Sequence, residues 1–381
     1  MTAYYVTTSG SDSNNGLTEG TAFATPGYAA SQATTAGDIV YVKYGTYTLT
    51  TATQNVSGGT ILMTDQVRWE GYENTIGDLG AKPTINGGSV TATSIIQVPA
   101  TPRGSGAQAT TLTNFILDGG SGTFSYGVLQ SSGYVFAAFR CEATNVARGF
   151  TGYISNYYEC KATNCSTYGF SGTYRCIDCV AENCTAAGYY KCTTIRCLAN
   201  SCGIGFRGES TQHIASIAYN NTTIGFYFPS NREYGQLENC IAVNNGTYGF
   251  EYWNCTVVRC AAYNNGTANF RSPSSSATGR FFYEITLTAD PFTSASTGDF
   301  SLNSDAGGGE LLKSYQHKNP IGTDIYPDIG IIQREVTASS SSGSSSTPTA
   351  GTQVYPFRQW VEDDFGSGGG GGATIHPLYA N

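Results

Sequence analysis

A five-residue motif recurs seven times in the middle of the chain, at intervals of about twenty residues. Each copy begins with cysteine or serine, has alanine at its third position and ends with asparagine or serine. Constant and variable positions alternate, which is the two-residue period of a β-strand whose small side chains point to one face. The copies occupy residues 141–145, 160–164, 179–183, 197–201, 216–220, 240–244 and 260–264.

A second motif, a glycine followed by an aromatic residue, recurs in the same register. We expect these glycines to supply the positive φ of a corner. We expect the asparagines of the first motif to close a turn by bonding the backbone of neighbouring repeats. The second motif lies at 149–150, 169–170, 188–189, 205–206, 225–226 and 249–250, and at 269–270 with asparagine in place of glycine.

A repeat this short cannot bury its own apolar face. Successive copies must therefore stack, and each strand pairs with its equivalent about 4.8 Å away. Equivalent side chains then form ladders inside a cylinder: a cysteine ladder, an alanine ladder and a ladder of aromatic rings. Self-similarity at a fixed period thus predicts a parallel β-solenoid.

Segments at both ends of the repeat region add a family resemblance. Together with the repeats they resemble the pectate-lyase-like family, which implies an all-β, single-stranded right-handed parallel β-helix. A short helix around 28–34 would form an N-terminal cap. The resemblance covers about residues 3–334 and implies little about activity, because the family includes lyases, hydrolases, epimerases, phage spikes and inert structural proteins. The segments that resemble the first coil and cap are 4–6, 9–16, 36–42 and 45–47, and those that resemble the C-terminal closing segment are 299–302 and 327–330.

The composition changes abruptly after Glu335. A run of serines begins at Ser339 and can bury nothing, which is typical of a flexible linker. The predicted organisation is an N-terminal cap and first strand over 1–37, the β-helix over 38–335, a Ser-rich linker over 336–353 and an extended Gly-rich tail over 354–381.

The tail contains two short apolar patches. We expect them to dock on other subunits of a virion or another assembly, and we expect the protein to be a homo-oligomer. The alternative is a disordered tail. The predicted docking residues are Tyr355, Phe357, Trp360, Ile375, Leu378 and Tyr379.

All 12 cysteines lie between Cys141 and Cys260. Their register predicts that most are small buried hydrophobes, in one column formed by the motif cysteines and a second just past the asparagine turn. A mostly reduced ladder fits cytoplasmic synthesis. No metal site is expected, because the Cys-x4-Cys pairs lie along one strand and its corner and do not converge as zinc requires. The second column is Cys165, Cys184 and Cys202, and disulfide pairing stays open for the off-column Cys176, Cys192 and Cys255.

Positions beside the ladder cysteines carry a mixed charged patch. A lyase of this fold needs acidic side chains that hold Ca²⁺ against a uronate and a Lys or Arg that removes a proton, and a hydrolase needs paired carboxylates. The candidates are Glu159, Asp178 and Glu182 as metal or acid–base groups, and Lys161 or Arg196 as the base. The alternative, which we favour, is ordinary pairing of Arg140 with Glu159 and of Asp178 with Arg196. No cofactor is then expected, and Ca²⁺ enters only with the lyase alternative.

Aromatic residues cluster near the predicted corners. Flat amphipathic rings can stack on sugar faces. The alternative is that tyrosine is simply a good strand former on a solvated sheet. The candidate glycan contacts are Tyr158, Tyr174, Tyr190, Tyr252 and Trp253.

The charge balance bears on partners and location. With 19 basic and 27 acidic side chains the net charge is −8, which disfavours binding to nucleic acid. No stretch is long and apolar enough to span a membrane, and the numbered sequence has no secretion signal. The predicted location is a virion assembled in the host cytoplasm, and the alternative is a secreted or cell-surface protein.

These inferences predict a structural or attachment protein without enzymatic activity. The predicted role is that of a phage virion component, a head decoration, fibre or tail spike subunit, that contacts surface glycans. One alternative is a polysaccharide lyase or glycoside hydrolase of the pectate-lyase-like fold. Another is a bacterial surface adhesin.

Overall fold

The computed structural model describes most of the chain up to Ser314. The predicted linker over 336–353, the tail over 354–381 with its docking residues and the segment 327–330 lie outside the described residues. The described residues are 1–50, 60–64, 66–98, 109–131, 136–172, 175–229, 235–272 and 281–314.

Each coil contributes three short strands, which stack into three parallel faces. Every strand pairs in parallel with its equivalent in the next coil: Ala143 pairs with Ala162, and Ala162 with Ala181. Faces 1 and 2 are continuous through their shared corner, and face 3 is a separate sheet. The predicted right-handed parallel β-helix is confirmed, since parallel strands joined by crossovers take that hand.

The strands of each face follow the order of the coils. Face 1 comprises Ala3–Val6, Ile39–Lys43, Arg68–Tyr72, Thr110–Thr113, Phe136–Phe139, Ser155–Tyr158, Arg175–Ile177, Thr193–Ile195, Gln212–Ile214 and Gly235–Glu238. Face 2 comprises Thr46–Thr48, Thr84–Asn86, Ile116–Asp118, Glu142–Thr144, Lys161–Thr163, Val180–Glu182, Leu198–Asn200, Ile217–Tyr219 and Ile241–Val243. The strands Cys255–Tyr263 and Phe281–Thr286 run from face 1 into face 2. Face 3 comprises Ile61–Leu62, Thr91–Val98, Thr123–Gln130, Arg148–Thr151, Tyr168–Ser171, Ala187–Tyr190, Ile204–Arg207, Ile224–Phe228, Tyr248–Tyr252 and Ala268–Arg271.

The interior contains the predicted aromatic ladder. Neighbouring rings are stacked with centroids 4.6–5.1 Å apart and planes within 3–11° of parallel. This separation matches the spacing of paired strands. The ladder is Phe150, Phe170, Tyr189, Phe206, Phe226, Phe250 and Phe270.

The cysteines also lie inside the cylinder. All of them are buried and none is joined in a disulfide, including the off-column Cys176, Cys192 and Cys255. Burial raises the pKa of the Cys141 and Cys160 thiols well above the usual value. These groups therefore stay neutral and pack as small hydrophobes.

The side chains of the asparagines that end the first motif do not bond backbone groups as we expected, although their own backbone N–H groups do, as Asn164 N donates to Glu182 O at 3.1 Å. These asparagines lie at an outer corner in the left-handed conformation, with φ of 53° at Asn164 and 58° at Asn244, and bond one another through their side chains, as Asn264 Nδ2 does to Asn244 Oδ1 at 2.8 Å. The side chain of the next residue points inward and bonds the backbone of the neighbouring coil instead. Asn245 Oδ1 accepts from the backbone N of Asn221 at 3.1 Å.

Both ends of the described structure have added elements. The N-terminal helix Pro26–Gln32 is capped by the Thr25 hydroxyl, which accepts from Tyr28 N. The other helices are Glu19–Thr21, Ala295–Thr297 and Gly309–Ser314, and the strands Phe292–Ser294 and Asp299–Leu302 form an antiparallel pair. Of the helices in the described part of the chain, none is long and apolar enough to cross a bilayer.

The C-terminal elements cover part of face 2 from outside. Ile217 and Ile241 point outward yet are fully buried, because Phe292 and Phe300 pack in the same cluster. This second core was not predicted from the sequence.

Candidate functional site

The corner between faces 1 and 2 carries the predicted charged patch. The residue before each ladder cysteine is left-handed, with φ of 51° at Glu159 and 54° at Asp178. Its backbone N–H continues the hydrogen bonding between neighbouring coils, as Glu159 N donates to Ile177 O at 3.0 Å. The side chains of Glu159, Asp178 and Arg196 therefore lie along the outer edge of the corner. Those of Lys161 and Glu182 lie within the strands Lys161–Thr163 and Val180–Glu182 of face 2.

Four of the five catalytic candidates form two ion pairs. Arg196 Nε and Nη2 donate to Asp178 Oδ1 and Oδ2 at 2.7 and 2.6 Å. This bidentate contact raises the pKa of the Arg196 guanidinium. Lys161 Nζ lies 2.8 Å from Glu182 Oε2. Because its ammonium is held by a carboxylate, Lys161 is not arranged as a base in this state.

Glu159 lies apart from these pairs. It is exposed, and Arg140 donates instead to the carbonyl of Leu79 at 3.4 Å. The expected pairing of Arg140 with Glu159 is thus not seen, whereas that of Asp178 with Arg196 is. Within the described ranges no three His, Cys, Asp or Glu side chains lie close enough to share a metal ion.

The predicted glycan contacts are placed in different environments. Tyr252 is only 2% exposed, and its hydroxyl donates to Glu284, so the expectation of an exposed ring is wrong there. Tyr158 is half-buried on face 1 and stacks on Phe139 at 4.8 Å. Trp253 is half-buried, and Tyr174 lies outside the described residues.

Tyr190 belongs to a surface feature that sequence reasoning missed. On the outside of face 3 its ring stacks on Tyr168 with centroids 4.6 Å apart. The guanidinium of Arg207, one coil on, lies over the Tyr190 ring at 5.4 Å. Arg148 lies 5.4 Å from the rings of both Tyr126 and Tyr168.

The same pattern continues at the far end of the face. Arg271 lies 4.6 Å over the Tyr248 ring and 3.2 Å from Glu251 Oε1. Lys191 lies 5.3 Å over Tyr190 and pairs with Glu209. We name the whole set the tyrosine–arginine ladder: Tyr126, Arg148, Tyr168, Tyr190, Arg207, Tyr248 and Arg271.

A signal for this ladder is present in the sequence. The position after each aromatic of the second motif points outward, because strand side chains alternate. The position before each glycine also lies outside, because the alternation is interrupted at the glycine, as in Arg148–Thr151. Arg148 and Tyr168 occupy the position before the glycine, and Tyr190 and Arg207 the position after the aromatic. The position after the aromatic is thus a sequence signal for Tyr190 and Arg207, whereas alternation alone would place Arg148 and Tyr168 on the inner side.

Comparisons with known proteins support the architecture. A rhamnogalacturonan lyase is 16% identical over 81% of this chain and 96% of its own, with a TM-score of 0.47. The pectate lyase Pel9A is 15% identical over 88% of this chain and 96% of its own, with a TM-score of 0.52. No protein-family model and no curated protein sequence matches the chain. Together with the stacked parallel faces, the likeness to Pel9A shows that this chain has the right-handed parallel β-helix fold of a pectate lyase.

Proposed function

We propose that the protein is an attachment protein without enzymatic activity: a rigid β-helical shaft that binds glycan along face 3. The observation that carries the proposal is the tyrosine–arginine ladder, which extends from Tyr126 to Arg271. Tyrosine hydroxyls and guanidinium groups are the hydrogen-bonding groups that a hydroxyl-rich polymer needs. The ion pairs of Lys161 and Asp178 support a structural role for the charged patch.

The proposal includes the setting of this shaft. We place it in a phage virion, as a head decoration, fibre or tail spike subunit that forms homo-oligomers and contacts other subunits through the tail over 354–381. Mass spectrometry of purified particles should then find the chain in stoichiometric amounts, and its absence from every particle fraction would count against the virion setting. Sedimentation of the purified chain tests the homo-oligomer.

Glycan binding is tested with a panel of acidic and neutral polysaccharides. Tyr190→Ala removes one ring and hydroxyl of the ladder, and we expect about tenfold weaker binding from the lost cation–π and hydrogen-bond contacts. Phe139→Ala is the matched control, because Phe139 belongs to a similar stacked pair on face 1. Equal affinity of both variants and the parent chain would contradict the proposal.

The same panel tests the enzymatic alternative. Reaction mixtures with and without Ca²⁺ are analysed for shortened chains and unsaturated ends. Cleavage that is abolished by Lys161→Ala or Asp178→Ala would replace the proposal with a polysaccharide lyase or hydrolase.

A further inference from the structure

The tyrosine–arginine ladder repeats every three coils. Three of its four cation–π contacts place an arginine one coil beyond a tyrosine: Arg148 follows Tyr126 and Arg207 follows Tyr190. Arg271 also lies one coil beyond Tyr248, although its strand partner is Glu251, three residues after Tyr248. In the fourth contact Arg148 lies one coil before Tyr168. Successive arginines are therefore three coils apart, about 14 Å at a strand spacing of about 4.8 Å.

The ladder is positively charged on a protein of net charge −8. Lys191 and Arg271 have carboxylate partners in Glu209 and Glu251. Over the part of the chain that the structure describes, Arg148 and Arg207 form no ion pair, and the buried Nε of Arg207 has no hydrogen-bond partner. These two guanidinium groups lie against rings and lack an anion, which favours binding of a carboxylate or sulfate.

The arrangement of the rings also limits the class of ligand that this face can bind. The ring of Tyr168 covers one face of the Tyr190 ring, and the guanidinium of Arg207 also contacts the Tyr190 ring. Single-stranded nucleic acid binds by stacking bases on free ring faces. A ladder that presents hydroxyls and guanidinium groups instead fits a polymer recognised by hydrogen bonds and charge.

We infer that face 3 binds a linear acidic polysaccharide lengthwise, with its carboxylate or sulfate groups held at Arg148, Arg207 and Arg271. The inference rests on the proposed function and adds the ligand class and the three-coil spacing. The ligand lies along the axis of the helix, because the three arginines succeed one another in that direction, with Arg148 three residues nearer the start of its strand than Arg207 and Arg271 are in theirs. Oligomers that reach two arginines bind more tightly than those that reach only one.

The experiment measures binding of alginate, hyaluronan and chondroitin sulfate, with neutral dextran and single-stranded poly(U) RNA as comparisons. We expect the acidic polysaccharides to bind, to weaken as salt rises, and to gain affinity stepwise with oligomer length. Arg148→Gln and Arg207→Gln should each lower the affinity about tenfold, because each removes one charge-assisted hydrogen bond to the ligand. Arg68→Gln, an exposed arginine on face 1, leaves the affinity unchanged.

Other outcomes of this experiment distinguish a wrong ligand class from the absence of glycan binding. If dextran binds as well as the acidic polymers and only Tyr190→Ala weakens it, the proposed function stands and this inference is wrong. If poly(U) binds more tightly than every polysaccharide, the ligand class is wrong. If no polysaccharide binds a chain whose circular dichroism and thermal midpoint are those of the folded protein, both the inference and the proposed function fall.

Discussion

Single residues in this protein are constrained mainly by the next coil. The glycines before the aromatic ladder do not have the positive φ that the sequence led us to expect. A Cβ at Gly169 would instead lie 2.8 Å from the carbonyl oxygen of Gly188 and 3.0 Å from the Cβ of Ala181. Glycine is needed there because the backbone of one coil approaches the next too closely for any side chain.

His213 is a core residue and not part of a catalytic group. It is fully buried, its Nδ1 lies 2.8 Å from the Thr194 hydroxyl, and Phe206 and Phe226 pack around the ring. Burial lowers the pKa of His213 to about 3. The imidazole is therefore neutral in the folded protein at neutral pH.

The buried imidazole predicts a pH-dependent stability. An unfolded chain binds the proton below a pKa of about 6.5, whereas the folded protein resists it until about pH 3. The free energy of unfolding should therefore fall as the pH falls from about 6.5 to about 3, and His213 should add no dependence above that range. Urea denaturation at a series of pH values should show a shallower decline for His213→Leu than for the parent chain. Identical slopes would show that His213 does not contribute.

At the scale of the structural element, the inward-pointing column just past the asparagine turn changes from cysteine to asparagine along the helix. Cys165, Cys184 and Cys202 occupy this column in the earlier coils, and Asn221 and Asn245 occupy it later. Asn245 accepts from Asn221 Nδ2 and donates to Asn265 Oδ1, both at 2.8 Å. The later coils are thus joined by an internal asparagine ladder, where the earlier ones have thiols.

Asn245→Ala should destabilise the later coils. The change leaves the buried backbone N–H and side-chain amide of Asn221 without their acceptor, at a cost of about 3 kcal/mol in the free energy of unfolding. Asn244→Gly is the control, because the adjacent Asn244 lies at the outer corner and glycine adopts its left-handed conformation readily. Urea unfolding should separate the two variants by about 2 kcal/mol, and equal values would contradict the ladder's role.

At the scale of the whole molecule, most coils contact only their neighbours, and the C-terminal elements are the exception. Phe300 packs edge-on against Tyr219 at 5.3 Å and against Phe292 at 5.2 Å. Ile217 and Ile241 are buried beneath this cover. The cover therefore ties the C-terminal segment to a coil about eighty residues earlier in the chain.

Phe300→Ala should loosen this cover and leave the remaining coils intact. Loss of the buried ring costs about 3 kcal/mol, and a solenoid unfolds locally because its units interact mainly with neighbours. Hydrogen exchange measured by mass spectrometry should become faster in residues 292–302 and 217–219 but not in 141–172. Uniformly faster exchange along the whole helix would contradict a locally attached cover, and Phe139→Ala on face 1 is the control.

The sequence by itself determined the coil and its ladders. Identical residues at a twenty-residue period can be buried only by stacking, so the columns led by Cys160 and Phe170 follow from spacing alone. Which outward residues contact one another was decided by the tertiary structure. The pairing of Lys161 with Glu182, the covered Ile217 and the stacking of Arg207 on Tyr190 depend on corner geometry and on which segment folds back over which face. A repeat determines which positions share a column, but not what lies against that column from outside.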